Sequence, residues 1–174
     1  MRIISGHHKG RKIIPPKNLN ARPTTDIAKE SLFNILHNHY KMNKISTLDL
    51  FSGTGNISYE FGSRGCNNII SIDNNYTATS FIKTTSNILS LNIRTIKIDA
   101  LKYLDSTKDT FDIIFADPPY KYKKHQEIVD LINKRKILNK EGMLIIEHDK
   151  TTDLQGQDIE KRKYGTVHFS IFKF

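Results

Sequence analysis

Short apolar runs alternate with helix-like stretches along most of the chain. Each run is rich in Ile, Leu or Phe, as expected for strands buried on both faces of a sheet. Strands that alternate with helices form βαβ units, so the pattern predicts an α/β fold with a doubly wound, mostly parallel sheet. The predicted strands are 46–51, 68–73, 94–99, 111–117 and 142–148, and the longer predicted helices are 26–39, 75–90 and 124–137.

The two ends of the chain depart from this alternation. Near the C-terminus, Gly165 lies where two antiparallel strands would turn, so we expect the sheet to end in an antiparallel hairpin. Near the N-terminus, 2–5 and 11–14 are β-prone runs separated by a Gly-bounded stretch, which predicts a short β-hairpin or hooked arm. We therefore divide the chain into a basic arm, 1–21, and one α/β domain, 22–174.

The composition is that of a globular protein of a reducing compartment. The chain has 174 residues, of which 37% are hydrophobic and 26% charged, and this size suits one domain. Its single cysteine, Cys66, cannot form an intramolecular disulfide. No apolar run approaches the ~20 residues of a membrane span, and the N-terminus lacks the apolar segment of a secretory signal. We expect a cytoplasmic protein that does not bind a membrane.

Positive charge is concentrated at the N-terminus. Lys and Arg number 27 against 18 Asp and Glu, which gives a formal net charge of +9. Between Met1 and Thr25 there are six basic residues and no carboxylate, so this segment cannot neutralise itself. Such a balance favours a polyanionic partner.

Polar residues follow the predicted strands at one edge of the sheet, where doubly wound sheets bind their ligands. The turn 49–56 contains glycines that let the backbone approach a ligand at a helix N-terminus. Asp73 stands where an acid commonly binds the ribose of an adenosine cofactor. Asp99, followed by Ala100, could accept a hydrogen bond from an adenine amino group. With Asp117 after the fourth strand, these residues predict a polar ligand cleft.

The glycine pattern narrows the choice of cofactor. A dinucleotide site prefers Gly-x-Gly-x-x-Gly, whereas Ser58 occupies the third position after Gly53 and Gly55. The third glycine normally allows close packing of the helix on the strand. Its absence disfavours a nicotinamide enzyme and leaves room for another adenosine cofactor, S-adenosylmethionine.

The stretch Asp117-Pro118-Pro119-Tyr120 suits a planar aromatic amine as substrate. Two prolines fix the backbone and remove two N–H donors, so the Asp117 carboxylate and the Pro118 carbonyl remain as acceptors beside an aromatic ring. An exocyclic amine is a poor nucleophile because its lone pair is delocalised into the ring. Acceptors aimed at its hydrogens favour a pyramidal nitrogen whose lone pair points at a methyl donor.

These motifs resemble those of the class I S-adenosylmethionine-dependent amino-methyltransferases, which have a Rossmann-like sheet. The carriers of the resemblance are Asp49-x-Phe51-x-Gly53-x-Gly55 and the Asp-Pro-Pro-Tyr motif. The opening segments 1–6, 9–12 and 22–34 also look like the RsmD family, methyltransferases of the small-subunit ribosomal RNA. The resemblance covers essentially the whole chain.

The resemblance implies methylation of the N2 amine of one guanine in 16S rRNA, within the small ribosomal subunit. The target base would be held by Asp117, Pro118 and Tyr120. The cofactor would be held by Thr24, Thr25, Asp49, Phe51, Gly53, Gly55, Asp73, Asp99 and Ala100. RNA phosphates would be gripped by Arg2, Lys9, Arg11, Lys12, Arg22 and Lys121.

Three alternatives stay open. The same acceptors could hold the N6 amine of adenine in DNA or RNA, although the chain leaves little room for a DNA target-recognition domain. A nucleotide-binding oxidoreductase is disfavoured by Ser58, and a non-catalytic RNA-binding assembly protein by the complete set of acids. We predict no metal site, because His7 and His8 have no third ligand at suitable spacing. A monomer is the default expectation.

Overall fold

The structure, a computed structural model, describes residues 1–19, 24–119 and 121–173. Helices and strands alternate through the described domain, as the apolar pattern predicts. A short 3₁₀ turn, Met42–Lys44, precedes the first strand. The strands are β1 Ser46–Leu50, β2 Asn68–Asp73, β3 Ile93–Lys97, β4 Phe111–Ala116, β5 Leu138–His148, β6 Ile159–Tyr164 and β7 Val167–Lys173. The helices are α1 Asp26–His39, α2 Asn56–Ser63, α3 Tyr76–Ile88, α4 Ala100–Ser106 and α5 His125–Arg135.

The strands form one sheet in the order β3-β2-β1-β4-β5-β7-β6. Strands β1 to β5 are parallel, and β7 and β6 continue the sheet as an antiparallel hairpin. The chain moves outward from β1 to β2 and β3 and then returns to β4, so the strand order reverses between β1 and β4. Ligands of doubly wound sheets bind at such a reversal. The predicted fold is confirmed, including the hairpin turn at Gly165, whose φ is +63°.

Helices cover both faces of the sheet. On one face, α4 and α5 bury Leu104 and Ile132, and on the other, α1 and α2 bury Leu32 and Phe61. Burial of each large apolar side chain contributes about 1.5–3 kcal/mol. The two cores fix the strand ends, and therefore the polar residues that follow them.

The start of α1 follows the predicted boundary. Thr25 is extended at the N-cap, and its hydroxyl accepts a hydrogen bond from the Ala28 N–H (3.3 Å). This bond satisfies one of the free donors of the first turn. The buried face of α1 includes Lys29, a charged residue that the apolar pattern does not place there.

Strand β5 begins four residues earlier than the apolar run at 142–148. Glu141 has a positive φ of 63°, and the register against β4 shifts between Phe111 and Ile113. A Cβ on Gly142 would lie 2.8 Å from the carbonyl oxygen of Asn139. The irregular first part of β5 is polar, so alternation could not reveal it.

The N-terminal arm folds back on itself as predicted. Arg2 and Lys12 form an antiparallel bridge, and Ile3 N–H donates to the Arg11 carbonyl (3.0 Å). Ile3 and Ile13 are buried in a small cluster that also contains residues of α2 and α3. The arm is therefore packed against the domain rather than extended from it.

Candidate active site

A cavity of about 640 Å³ opens at the carboxyl ends of the parallel strands β1 to β5. Its volume lies within the range of sites that hold small molecules and cofactors. Among the described residues named above for cofactor and target base, most line it. Those that line it are Thr24, Asp49, Phe51, Gly53, Asp73, Asp99, Ala100, Asp117 and Pro118.

The turn after β1 is bound to the end of β2. Gly53 N–H donates to Asp73 Oδ2 (2.8 Å), and the Ser52 N–H donates to the Ile72 carbonyl (2.9 Å). Phe51 and Gly53 both have a positive φ, 57° and 51°. A non-glycine residue rarely adopts this conformation, and such strain is concentrated at functional sites. The turn thus holds backbone and the Asp73 carboxylate together at one wall of the cavity.

Asp49 lies at the floor of the cavity and is 2% exposed. Its Oδ2 accepts from the Ser58 hydroxyl (2.5 Å) and from the Ser58 N–H (3.2 Å). Burial raises the pKa of Asp49 to about 7, against the lowering effect of the two bonds from Ser58. Ser58, which the sequence analysis treats only as a missing glycine, therefore holds a carboxylate that lines the cavity.

The next wall follows β3. Asp99 caps α4 by accepting from the Lys102 N–H (3.1 Å), and both Asp99 and Ala100 line the cavity. The N-terminus of α4 therefore faces the same space as Asp73.

The wall after β4 carries the proline turn. The Asp117 N–H donates to the Leu50 carbonyl (3.4 Å), and Tyr122 N–H donates to the Pro119 carbonyl (2.7 Å), which closes the turn. Tyr120 lies outside the described residues, so its predicted stacking on the base stays a prediction. Tyr122, which the sequence analysis missed, lines the cavity, and its ring centroid lies 5.0 Å from that of Phe51.

Two predicted cofactor residues stand apart from the cavity. Thr25 is exposed and caps α1, and Gly55 caps α2 with a φ of 79°. A Cβ on Gly55 would lie 2.7 Å from Tyr59 Cζ, so packing alone requires glycine there. Thr24, in contrast, lines the cavity and donates from its hydroxyl to Glu147 Oε2 at the end of β5 (2.8 Å).

The described basic residues that were predicted to grip RNA do not line the cavity. Lys9, Arg11, Lys12 and Lys121 are exposed, and Arg22 lies outside the described residues. Exposed positive charges of this kind suit contact with a polyanion.

Arg2 differs from the other basic residues of the arm. Its guanidinium forms an ion pair with Asp26 at the start of α1 (3.0 Å). The arm is therefore tied to the helix that follows the cavity wall residue Thr24.

Within the residues that the structure describes, no group of three or more His, Cys, Asp or Glu side chains is placed to hold a metal ion. No helix within 1–19, 24–119 and 121–173 is long and apolar enough to cross a membrane.

Comparison with known proteins places this architecture among methyltransferases. The family model described as conserved hypothetical protein 95 matches residues 1–173. "Putative rRNA methyltransferase YlbH" of Bacillus subtilis is 34% identical over 99% of this chain and 98% of its own length. "Ribosomal RNA small subunit methyltransferase D" of Buchnera aphidicola is 31% identical over 99% and 91%. The solved "Putative methyltransferase yhhF" of Escherichia coli superposes with a TM-score of 0.87 at 25% identity, covering 99% and 97% of the two chains.

Proposed function

The chain belongs to the family of conserved hypothetical protein 95, the RsmD methyltransferase family, and from this we propose that it transfers a methyl group from S-adenosylmethionine to ribosomal RNA. We further propose that the methyl acceptor is the exocyclic N2 amine of a guanine in 16S rRNA. The observation that carries the proposal is the single cavity edge that gathers Asp49, Asp73, Asp99 and Asp117.

The donor set fits an adenosyl cofactor. Asp73, fixed by the Gly53 N–H, offers a carboxylate to ribose hydroxyls, and Asp99 and Ala100 border the space for adenine. Asp49 offers a buried carboxylate to the ammonium of the methionine part. When bound, S-adenosylmethionine supplies an activated sulfonium methyl group.

The chain's own contribution to the reaction is orientation and proton acceptance. Asp117 and the Pro118 carbonyl accept from the amine, which keeps its lone pair directed at the methyl carbon. The bound cofactor would supply the methyl group to the amine nitrogen held by Asp117 and Pro118, and its sulfur would keep the electron pair of the broken C–S bond. The surplus amine proton leaves to Asp117 or to water.

The proposal assigns different roles to the two parts of the chain. Residues 1–21 serve as the RNA-gripping arm, and 22–174 carry cofactor, base and chemistry. The exposed Lys9, Arg11 and Lys12 on the arm support this division. In the proposal, the 16S rRNA is bound as part of the small subunit, and the enzyme acts as a monomer in the cytoplasm.

The decisive experiment incubates the protein with labelled S-adenosylmethionine and either unmodified small subunits or RNA stripped from them. We expect N2-methylguanosine on the subunit, and N6-methyladenosine would replace the proposed acceptor by adenine. Asp117→Ala should abolish turnover with little change in cofactor affinity, whereas Asp105→Ala, at an exposed position on α4, should change neither. Near-normal turnover by Asp117→Ala would remove its proposed role.

Two binding measurements separate this proposal from its rivals. S-adenosylhomocysteine should raise the melting temperature and NAD should not, and the reverse pattern would favour an oxidoreductase. Arg11→Ala with Lys12→Ala should weaken RNA binding. The slope of log K against the logarithm of the salt concentration should fall by about one for each lost phosphate contact. The control pair Lys134→Ala with Lys136→Ala, exposed at the far end of α5, removes the same charge and should leave the slope unchanged.

A further inference from the structure

The carboxylate of Glu60 holds the backbone of the arm. Glu60 lies in α2, and its two oxygens accept from the N–H groups of Ile4 (2.8 Å) and Ser5 (3.0 Å). The Arg64 Nε donates to the same carboxylate (2.8 Å). A carboxylate that binds two successive backbone N–H groups fixes both the position and the direction of that segment.

Ser63, one turn further along α2, forms a second attachment. Its hydroxyl donates to the Ser5 carbonyl (2.6 Å) and accepts from the His8 N–H (3.0 Å). Gly6 lies against the same turn so closely that an added Cβ would stand 1.8 Å from the Ser63 carbonyl oxygen. The arm therefore fits α2 in one position only.

A buried lysine joins this attachment to the cavity. The Lys29 and Glu60 side chains are both 0% exposed, and their charged atoms lie 3.3 Å apart. Lys29 Nζ also donates to the Arg2 carbonyl (2.6 Å) and to Asn56 Oδ1 (2.8 Å). The Asn56 amide in turn donates to the carbonyl of Thr24 (3.3 Å), whose hydroxyl contacts the end of β5.

A buried ion pair is weak evidence for stability, because desolvation offsets much of the attraction. The contacts of this pair run instead between two ligand-binding parts of the chain. One end holds the arm at Arg2, Ile4 and Ser5. The other end holds Asn56 and, through it, the cavity wall.

We propose that Lys29, Asn56 and Glu60 are positioning residues that hold the RNA-gripping arm at a fixed position relative to the cavity wall. This inference rests on the proposed function. Because the arm is pre-set, its basic side chains meet the RNA without an ordering cost and at a fixed distance from the target amine. The arm thereby places the substrate as well as attracting it.

Gly6→Ala tests the proposal without leaving a buried charge unpaired. The new Cβ cannot fit against Ser63, so the arm must leave α2. Gly10→Ala is the matched control, because Gly10 has nearly the same φ, 81° against 82°, with nothing within 4 Å of the new Cβ.

The expected result is a change confined to the RNA. In Gly6→Ala the KM for the subunit should rise by about tenfold or more, and the salt slope should fall by about one for each lost phosphate contact. The kcat at saturating RNA and the affinity for S-adenosylhomocysteine should stay near those of Gly10→Ala. Ser63→Ala, which removes only two hydroxyl contacts, should move the same quantities in the same direction by less.

Hydrogen exchange tests the attachment independently of any activity. The Ile4 and Ser5 amides should be protected in the unaltered protein and in Gly10→Ala, and should exchange rapidly in Gly6→Ala. Rapid exchange in the unaltered protein would overturn the proposal whatever reaction the enzyme performs. It would also be overturned by an unchanged KM for RNA in a Gly6→Ala protein whose arm exchanges rapidly, or by equal losses in kcat and cofactor affinity.

Discussion

Replacement of Ser58 by alanine tests whether the ionisation of Asp49 controls cofactor binding. The variant loses the hydroxyl that donates to Asp49 over 2.5 Å and keeps the backbone N–H at 3.2 Å. Both bonds oppose the rise of the Asp49 pKa to about 7. A hydrogen bond to a charged group contributes about 1.5–3 kcal/mol, and about 1.4 kcal/mol corresponds to one pKa unit. The Asp49 pKa should therefore rise by at least about one unit, to about 8.

The resulting loss of affinity depends on pH in a defined way. When ionised Asp49 binds the ammonium of the methionine part, affinity follows the ionised fraction. With pKa values of about 7 and about 8, these fractions at pH 7 are about one half and about one tenth, so the variant binds about fivefold more weakly. The same arithmetic gives about ninefold at pH 6 and about 1.3-fold at pH 8.5.

Calorimetric titration of S-adenosylhomocysteine between pH 6 and pH 8.5 measures this ratio. Ser71→Ala is the control, because the Ser71 hydroxyl contacts that of Ser58 (2.5 Å) and Asp49 keeps both of its Ser58 donors. A loss of affinity in Ser58→Ala that is constant across this range would refute the reasoning. The same pH profile in Ser71→Ala would refute it as well.

The raised pKa of Asp49 also fixes the sign of one contribution to stability. The folded state holds this proton more tightly than the unfolded state, whose carboxyl has an ordinary pKa of 3.8. Between that value and about 7 the folded state binds more protons, so the contribution of Asp49 to the free energy of unfolding falls as pH rises.

The remaining predictions concern the packing around the site. Gly55→Ala should lower the free energy of unfolding by at least about 2 kcal/mol and the melting temperature by roughly 4–8 °C, whereas Gly65→Ala, with a φ of 97° and open space, should cost about 1 kcal/mol. Glu60→Gln should lower the free energy of unfolding, measured in urea, by about 3–5 kcal/mol, because it leaves the Lys29 charge buried without its carboxylate. Lys29→Met should lower it by less, since the Glu60 carboxylate keeps its ion pair with Arg64. The opposite order would contradict this account. Burial raises the pKa of the Cys66 thiol, so a thiol reagent should react with it only after unfolding, and rapid reaction at neutral pH would show that the core around Cys66 opens in the folded protein.

Most of the fold could be predicted because the spacing of apolar residues along the chain distinguishes strands from helices. Strand β2 has the predicted bounds, 68–73, and α1 has the predicted bounds, 26–39. The exception is the first part of β5, where Leu138 pairs with Phe111 of β4 and the Asn139 side-chain amide donates to Asp112 Oδ1 (2.8 Å). This segment is polar and its residues do not alternate, so periodicity does not predict a strand there.

The outline of the site was also accessible from the sequence. Parallel strands bring their carboxyl ends to one edge, so acids that follow each strand must meet there. The structure gathers Asp49, Asp73, Asp99 and Asp117 in that way. The burial and hydrogen bonding of each carboxylate could not be predicted, because the sequence does not distinguish a buried aspartate from an exposed one.

The residues missed by sequence reasoning share a physical origin. Lys29, Asn56 and Glu60 are polar residues on helices, and a polar residue in such a pattern is ordinarily assigned to the solvent face. Lys29 and Glu60 are buried because the arm covers that face and supplies backbone partners for them, and Asn56 is bonded to Lys29 and to the Thr24 carbonyl. The pattern of apolar and polar residues in α1 and α2 alone does not indicate that the arm covers them. Buried polar residues of this kind become visible only when the covering segment is placed, and here that segment is also the one that carries the basic side chains for RNA.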